Sequence, residues 1–181
     1  AQRLCDLGID VIVGGHPHVV EPVALLGSTL DPDHKTVCLY SMGNAVSNQR
    51  ANVMTSHPNG YTEDGVWFTM TFCKYSDGTV YLEDVNLIPT WVYLRTTNGR
   101  QYDILPLDAA TRDSWAQLYD LQEVTVNAAQ RSYDRTMSIV EQGLTESRQY
   151  LAEQQELRDA NYLAALADSL YGNTTQFFNA A

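Results

Sequence analysis

The sequence predicts an α+β protein in which a β-rich portion, residues 1–105, is followed by a helical extension, residues 106–181. Three observations carry that prediction. All six prolines and nine of the eleven glycines lie in the first 106 residues, so the helix-breaking residues crowd into one part of the chain. The same part holds short runs rich in β-branched and aromatic residues, separated by turn residues. Beyond residue 108 the apolar residues instead recur at three- and four-residue steps.

The elements follow in order. Ala1-Gln2-Arg3-Leu4-Cys5-Asp6-Leu7-Gly8 reads as the last turn of a helix stopped by Gly8. With no Met at its start, the chain is expected to be a fragment of a longer protein. Val11-Ile12-Val13 is a short buried strand ending at Gly14-Gly15. Val23-Ala24-Leu25-Leu26 and Thr36-Val37-Cys38-Leu39-Tyr40 are expected as the next two strands, before a polar loop over roughly 42–64. The runs 65–72 and 79–85 flank Ser76-Asp77-Gly78, a hairpin signal because Asp-Gly supplies the positive φ that such a turn needs. Trp91-Val92-Tyr93-Leu94 is a further strand, closed by an Asn98-Gly99 turn. Asp108 is placed to cap the helical part. There Trp115, Leu118, Leu121, Thr125, Ala129, Tyr133, Met137, Val140 and Leu144 keep helical spacing. Gly143 is expected to break this pattern into a helical hairpin, with one long helix as the alternative.

Composition narrows the function classes. With 181 residues and 44% hydrophobic side chains, the chain can bury a core of ordinary size. No apolar run reaches the length of a membrane span. The net charge of -11 is spread evenly: six basic and eleven acidic side chains up to residue 105, five and eleven after it. An acidic surface without a basic stripe argues against nucleic acid and anionic membrane as partners. Three cysteines, at 5, 38 and 73 and with no CxxC pair, fit small buried hydrophobes better than a disulfide framework. There is no P-loop, no GxSxG elbow and no paired catalytic Cys and His.

The segment that speaks of chemistry is Gly14-Gly15-His16-Pro17-His18-Val19-Val20-Glu21-Pro22. Two histidines emerge from a double glycine at the C-terminal end of a buried strand, the edge where open α/β sheets place ligands. Glycine lets the backbone turn sharply, and Pro17 stiffens the link between the imidazoles, which are good ligands for Zn, Mn or Fe. His16 and His18 are therefore candidate metal ligands, expected to share one concavity. Glu21 is a candidate acceptor that would orient a histidine, though an ordinary exposed glutamate serves the pattern as well. Asn44 is a candidate substrate-binding residue at the cleft edge, or a turn-forming Asn beside Gly43. His34, in a polar turn, is expected in solvent, and His57 in the 42–64 loop.

Gly15-His16-Pro17-His18, after a hydrophobic strand and a short helix ending in Gly8, resembles the GHxH motif of calcineurin-like metallophosphoesterases. The following Val19-Val20-Glu21-Pro22, and then Tyr40-Ser41-Met42-Gly43-Asn44, resemble the CapA branch, the capsule and poly-γ-glutamate synthesis proteins. Gly15 stands where that branch often has a histidine, and Ala45 where it usually has Phe. The resemblance covers residues 1–50 by motif and 51–95 only in general β character.

The resemblance implies the C-terminal part of a metallophosphoesterase-like β-sandwich. It makes His16 and His18 ligands of two divalent metal ions (Mn, Zn or Fe) and places the protein at the bacterial cell surface. The superfamily's other ligands come from Asp, His and Asn motifs that have no counterpart here. A two-metal centre needs more donors than two imidazoles, so this chain alone is expected to be inactive. The implied partners are an anionic polymer or a phosphoester substrate. Two alternatives stand beside the enzyme. One is a non-catalytic scaffold in a polymer synthesis or export complex, with the helical extension as its docking element. The other is a β-sandwich adhesion module in which the histidines are incidental.

Overall fold

The computed structural model describes residues 1–55 and 59–178, with side chains to residue 170. A single helical turn, α1 (Gln2–Cys5), precedes three short strands, β1 (Val11–Val13), β2 (Val23–Gly27) and β3 (Lys35–Leu39). Three longer strands follow: β4 (Asp64–Lys74), β5 (Val80–Arg95) and β6 (Gln101–Pro106). A 3₁₀ turn at Ala109–Ser114 and α2 (Trp115–Leu118) lead into α3 (Glu123–Phe178). The class is α+β, as the distribution of breakers predicts.

The strands form two three-stranded sheets. In the first, of order β1-β3-β2, β1 runs parallel to β3, with Val11 opposite Val37, and β2 runs antiparallel to it. Thr36, Val37, Cys38 and Leu39 are all buried, as expected of a central strand covered on both faces. The second sheet is the antiparallel meander β4-β5-β6. Single bridges, Val20 to Met42 and Gly43 to Gly65, tie the first sheet's loops to the start of β4. No described helix is long and apolar enough to cross a membrane.

Several local readings hold. Gly78 takes φ +92, and Asp77 Oδ1 accepts from the Thr79 amide at 2.9 Å, which closes the β4–β5 hairpin. Asp108 accepts from the Ala110 amide at 2.9 Å and caps the 3₁₀ turn. Cys5 and Cys38 are buried and Cys73 is half-buried; all three are free thiols.

Two readings change. The strands expected at 79–85 and 91–94 are one 16-residue strand that runs through Pro89. A residue's N and O point to the same side of an antiparallel strand. The Pro89 carbonyl accepts from Leu107 at 2.8 Å, so its missing donor lies on the β6 side, where that ladder runs out. The pairing of Pro89 with Val66 of β4 is preserved.

The second change is that α3 does not break at Gly143. It stays continuous over 56 residues, and Ala129, Ser132, Thr136, Val140, Gly143, Ser147 and Leu151 form a buried stripe at helical spacing. Gly143 sits in that stripe because α3 crosses the backbone of β2. A Cβ there would lie 1.8 Å from the Val23 carbonyl oxygen. From α3, Val140, Leu144 and Leu151 join Val23, Val37, Leu39, Val66, Val85 and Leu87 in the main core. Each such side chain removed from water contributes about 1.5–3 kcal/mol. A second cluster gathers Trp91, Leu105, Leu107, Trp115, Leu121 and Ala129 around the start of α3.

Candidate metal centre

The loop carrying the two histidines leaves β1 at Gly14 and is clamped there. The Gly14 amide donates to Leu39 at 2.8 Å, and its carbonyl accepts from Met42 at 3.1 Å. A Cβ on Gly14 would lie 2.0 Å from the Tyr40 carbonyl oxygen, so only glycine fits between β1 and the end of β3. A Cβ on Gly15 would meet nothing within 4 Å, so the histidine often found there in the resembling branch has room for its first atom.

Past this clamp both histidines adopt positive φ, His16 at 112° and His18 at 63°. Such conformations cost of order 1–3 kcal/mol each in a residue with a side chain. Both residues are exposed. Among the described residues His16 has no side-chain hydrogen bond, whereas His18 Nδ1 lies 2.8 Å from Asn44 Oδ1.

Asn44 decides what that contact means. Its Nδ2 points at two backbone carbonyls, His18 at 3.1 Å and Thr62 at 2.9 Å, and also at Gln49 Oε1 at 3.2 Å. Carbonyls only accept, so the amide nitrogen faces them and the amide oxygen faces His18. The oxygen can only accept in turn, so His18 carries its proton on Nδ1. Its Nε2 lone pair is left free, the arrangement found in metal-binding histidines held by a neighbouring acceptor.

Asn44 is 6% exposed. It is buried beneath the histidine loop, not open at a cleft edge as the sequence suggests. The turn before it needs glycine: Gly43 has φ +72, and a Cβ there would lie 2.5 Å from the Asp64 carbonyl oxygen.

Beneath Asn44 lies a group that sequence reasoning missed. Asp64 is 1% exposed. Its carboxylate accepts from Arg135 Nε at 2.5 Å, Arg135 Nη2 at 2.6 Å and Ser132 Oγ at 2.7 Å. Burial pushes the Asp64 carboxyl up, and the bidentate guanidinium and then the hydroxyl oppose that push. The available signal was the polar pair Ser132 and Thr136, one turn apart on the buried stripe of α3.

The remaining candidates lie elsewhere. The Glu21 side chain makes no hydrogen bond to either imidazole among the described residues, while its amide donates to Ser41 at 3.1 Å. His34 is half-buried rather than in solvent, one ring nitrogen 3.3 Å from the Ile9 carbonyl oxygen. His57 lies outside the described residues. Ala45 is exposed. Among the described residues no group of three or more His, Cys, Asp and Glu side chains gathers to hold a metal. Two neutral imidazoles are donors of the kind divalent metals take, but the described residues do not close a coordination shell around them.

Comparison with known proteins falls on this same segment. Residues 1–49 match the family model of the bacterial capsule synthesis protein PGA_cap. The segment is also 43% identical over 49 residues to the PGA biosynthesis protein CapA of Bacillus subtilis (strain 168). The N-terminal segment is CapA-like. That alignment covers 27% of this chain and 11% of the relative. No solved structure matches the chain. The CapA-like segment includes β1, β2, β3, both histidines and Asn44. Asp64, Ser132 and Arg135, which brace it, lie outside the matched residues.

Proposed function

We propose that this chain is part of a protein of capsule or related cell-surface polymer synthesis, and that it contributes His16 and His18 to a dinuclear divalent metal centre. The observation that carries the reading is the His18–Asn44 hydrogen bond, which leaves the Nε2 lone pair free at an exposed loop. The CapA-like match over the same residues supports the family role. Asn44 fixes the tautomer and ring plane of His18. The glycine clamp fixes where the loop leaves β1, and Pro17 restricts the backbone between the two histidines. The other ligands would come from outside these residues, within a metallophosphoesterase-like sandwich. Two bound cations (Mn, Zn or Fe) would supply an activated water and stabilise negative charge on an anionic polymer or phosphoester.

A scaffold role in a synthesis complex is the second reading. It is favoured by the far part of α3, where Leu157, Tyr162, Leu163, Leu166 and Leu170 are exposed.

A calorimetric Zn²⁺ and Mn²⁺ titration, paired with a phosphodiesterase assay, tests the first reading. The 181-residue chain should bind one ion at most, weakly, and turn over nothing. His16→Ala and His18→Ala should each remove that binding, and Asn44→Ala should weaken it about tenfold or more. Unchanged binding in His18→Ala would refute the ligand assignment. Two-metal binding with turnover by this chain would refute the partial site. A complete parent protein that binds no metal leaves the scaffold reading.

A further inference from the structure

We infer that Arg135 and Ser132 of α3 are positioning residues for the His18–Asn44 pair, acting through the turn that ends at Asp64; the inference rests on the metal-site reading above. Arg135 grips that turn at both ends. Its Nη2 donates to the Gly60 carbonyl at 3.2 Å, and its Nε and Nη2 hold the Asp64 carboxylate. Its guanidinium also lies over the Tyr61 ring, 5.4 Å from the centroid. Ser132 donates the third hydrogen bond to Asp64.

Asn44 hangs from the same turn by two bonds. Its side-chain nitrogen donates to the Thr62 carbonyl at 2.9 Å, and its backbone amide to the Asp64 carbonyl at 3.1 Å. Close packing adds a constraint, because a Cβ on Gly65 would lie 2.4 Å from the Asn44 carbonyl oxygen. The line from α3 to the candidate ligand therefore runs Arg135, the 60–64 turn, Asn44, His18, with every step a hydrogen bond. An arginine fork is rigid and bidentate, which suits it to fixing a carboxylate in one place. A buried carboxylate without that fork would have to move or take up a proton. The turn, and Asn44 with it, would then lose its fixed position.

The test uses the full 181-residue chain in four variants. Arg135→Met removes the fork, Arg135→Lys keeps the charge, and Ser132→Ala removes one bond if the methionine variant fails to fold. Leu151→Ala is the control, since it opens the core against α3 far from the turn. Two readouts are followed: the Asn44 side-chain amide resonances with their solvent exchange, and Zn²⁺ affinity from the histidine ring resonances.

In Arg135→Met the Asn44 amide should lose its protected signature and the Zn²⁺ Kd should rise about tenfold. Ser132→Ala should move both readouts the same way by less, and Arg135→Lys should recover part of the loss. Leu151→Ala should lower Tm while leaving both readouts at the wild-type values. Wild-type readouts in Arg135→Met, or equal effects in Leu151→Ala, would overturn the inference. If the wild-type chain binds no Zn²⁺, the metal reading passes to the complete parent protein, and the Asn44 resonances alone decide the positioning role.

Discussion

His16 and His18 hold backbone angles that side-chain-bearing residues avoid, and nothing in the packing of His16 repays the cost. Its ring is exposed and has no hydrogen-bond partner among the described residues, at φ 112°. Strain at an exposed polar residue beside a glycine clamp is the kind that function keeps and stability alone would remove. The usual order of side chains should therefore invert here. Replacing His16 with Gly should leave the protein more stable than replacing it with Ala by about 1 kcal/mol. Urea denaturation of the two variants measures that difference, and an alanine variant equal to or better than glycine would show that no strain is stored. At this scale the histidines were legible, because a double glycine before His-Pro-His is a local pattern. The role of Asn44 was not. Its orientation is set by the carbonyls of His18 and Thr62, 26 and 18 residues away in sequence, and no local pattern encodes contacts of that span.

At the scale of elements, strands were legible wherever their turns were, as at Asp77-Gly78. They were misjudged where a breaker sits inside an element. Pro89 lies in the gap left between the expected strands 79–85 and 91–94, Gly143 at the expected helix break, and each is absorbed by what lies beside it. Pro89 turns its missing donor away from β4, and Gly143 gives up helix propensity to let α3 lie on β2. The second trade has a measurable sign. In an exposed helix, Gly→Ala stabilises by up to about 1 kcal/mol. At position 143 the new Cβ would lie 1.8 Å from the Val23 oxygen and 2.4 Å from its carbonyl carbon. Backbone on both sides must then separate, and overpacking of this kind costs about 1–3 kcal/mol. Gly143→Ala should therefore lower Tm despite its better propensity. A variant that melts higher than wild type would mean that α3 does not lie this close to β2.

For the whole molecule, the CapA-like segment and the parts that hold it in place are distributed differently along the chain. Residues 1–49 carry the candidate ligands, yet their loop is braced by a turn at 60–64 and by a helix more than 80 residues further on. That distribution explains why the helical extension is in its first half a wall of the core. Its second half is different. Among the described residues Leu151 is the last buried one of α3, and Arg158 lies 4.4 Å from the Tyr81 ring centroid and 3.7 Å from Glu83. Every residue from 159 to 170 is exposed. Ending the chain after Asn161 should thus change stability by no more than about 0.5 kcal/mol, as for surface substitutions away from packed features. Ending it after Ser138 removes Val140, Leu144 and Leu151 from the core. At roughly 1.5–3 kcal/mol for each side chain, that loss matches much of the 5–15 kcal/mol that holds a typical domain folded. Thermal melts followed by circular dichroism separate the two cases. The chain ended at Asn161 should melt with wild-type cooperativity and the chain ended at Ser138 should not fold. A drop in Tm of about 10 °C for the longer one would mean that the chain beyond Asn161, exposed as far as residue 170, still contributes to the fold.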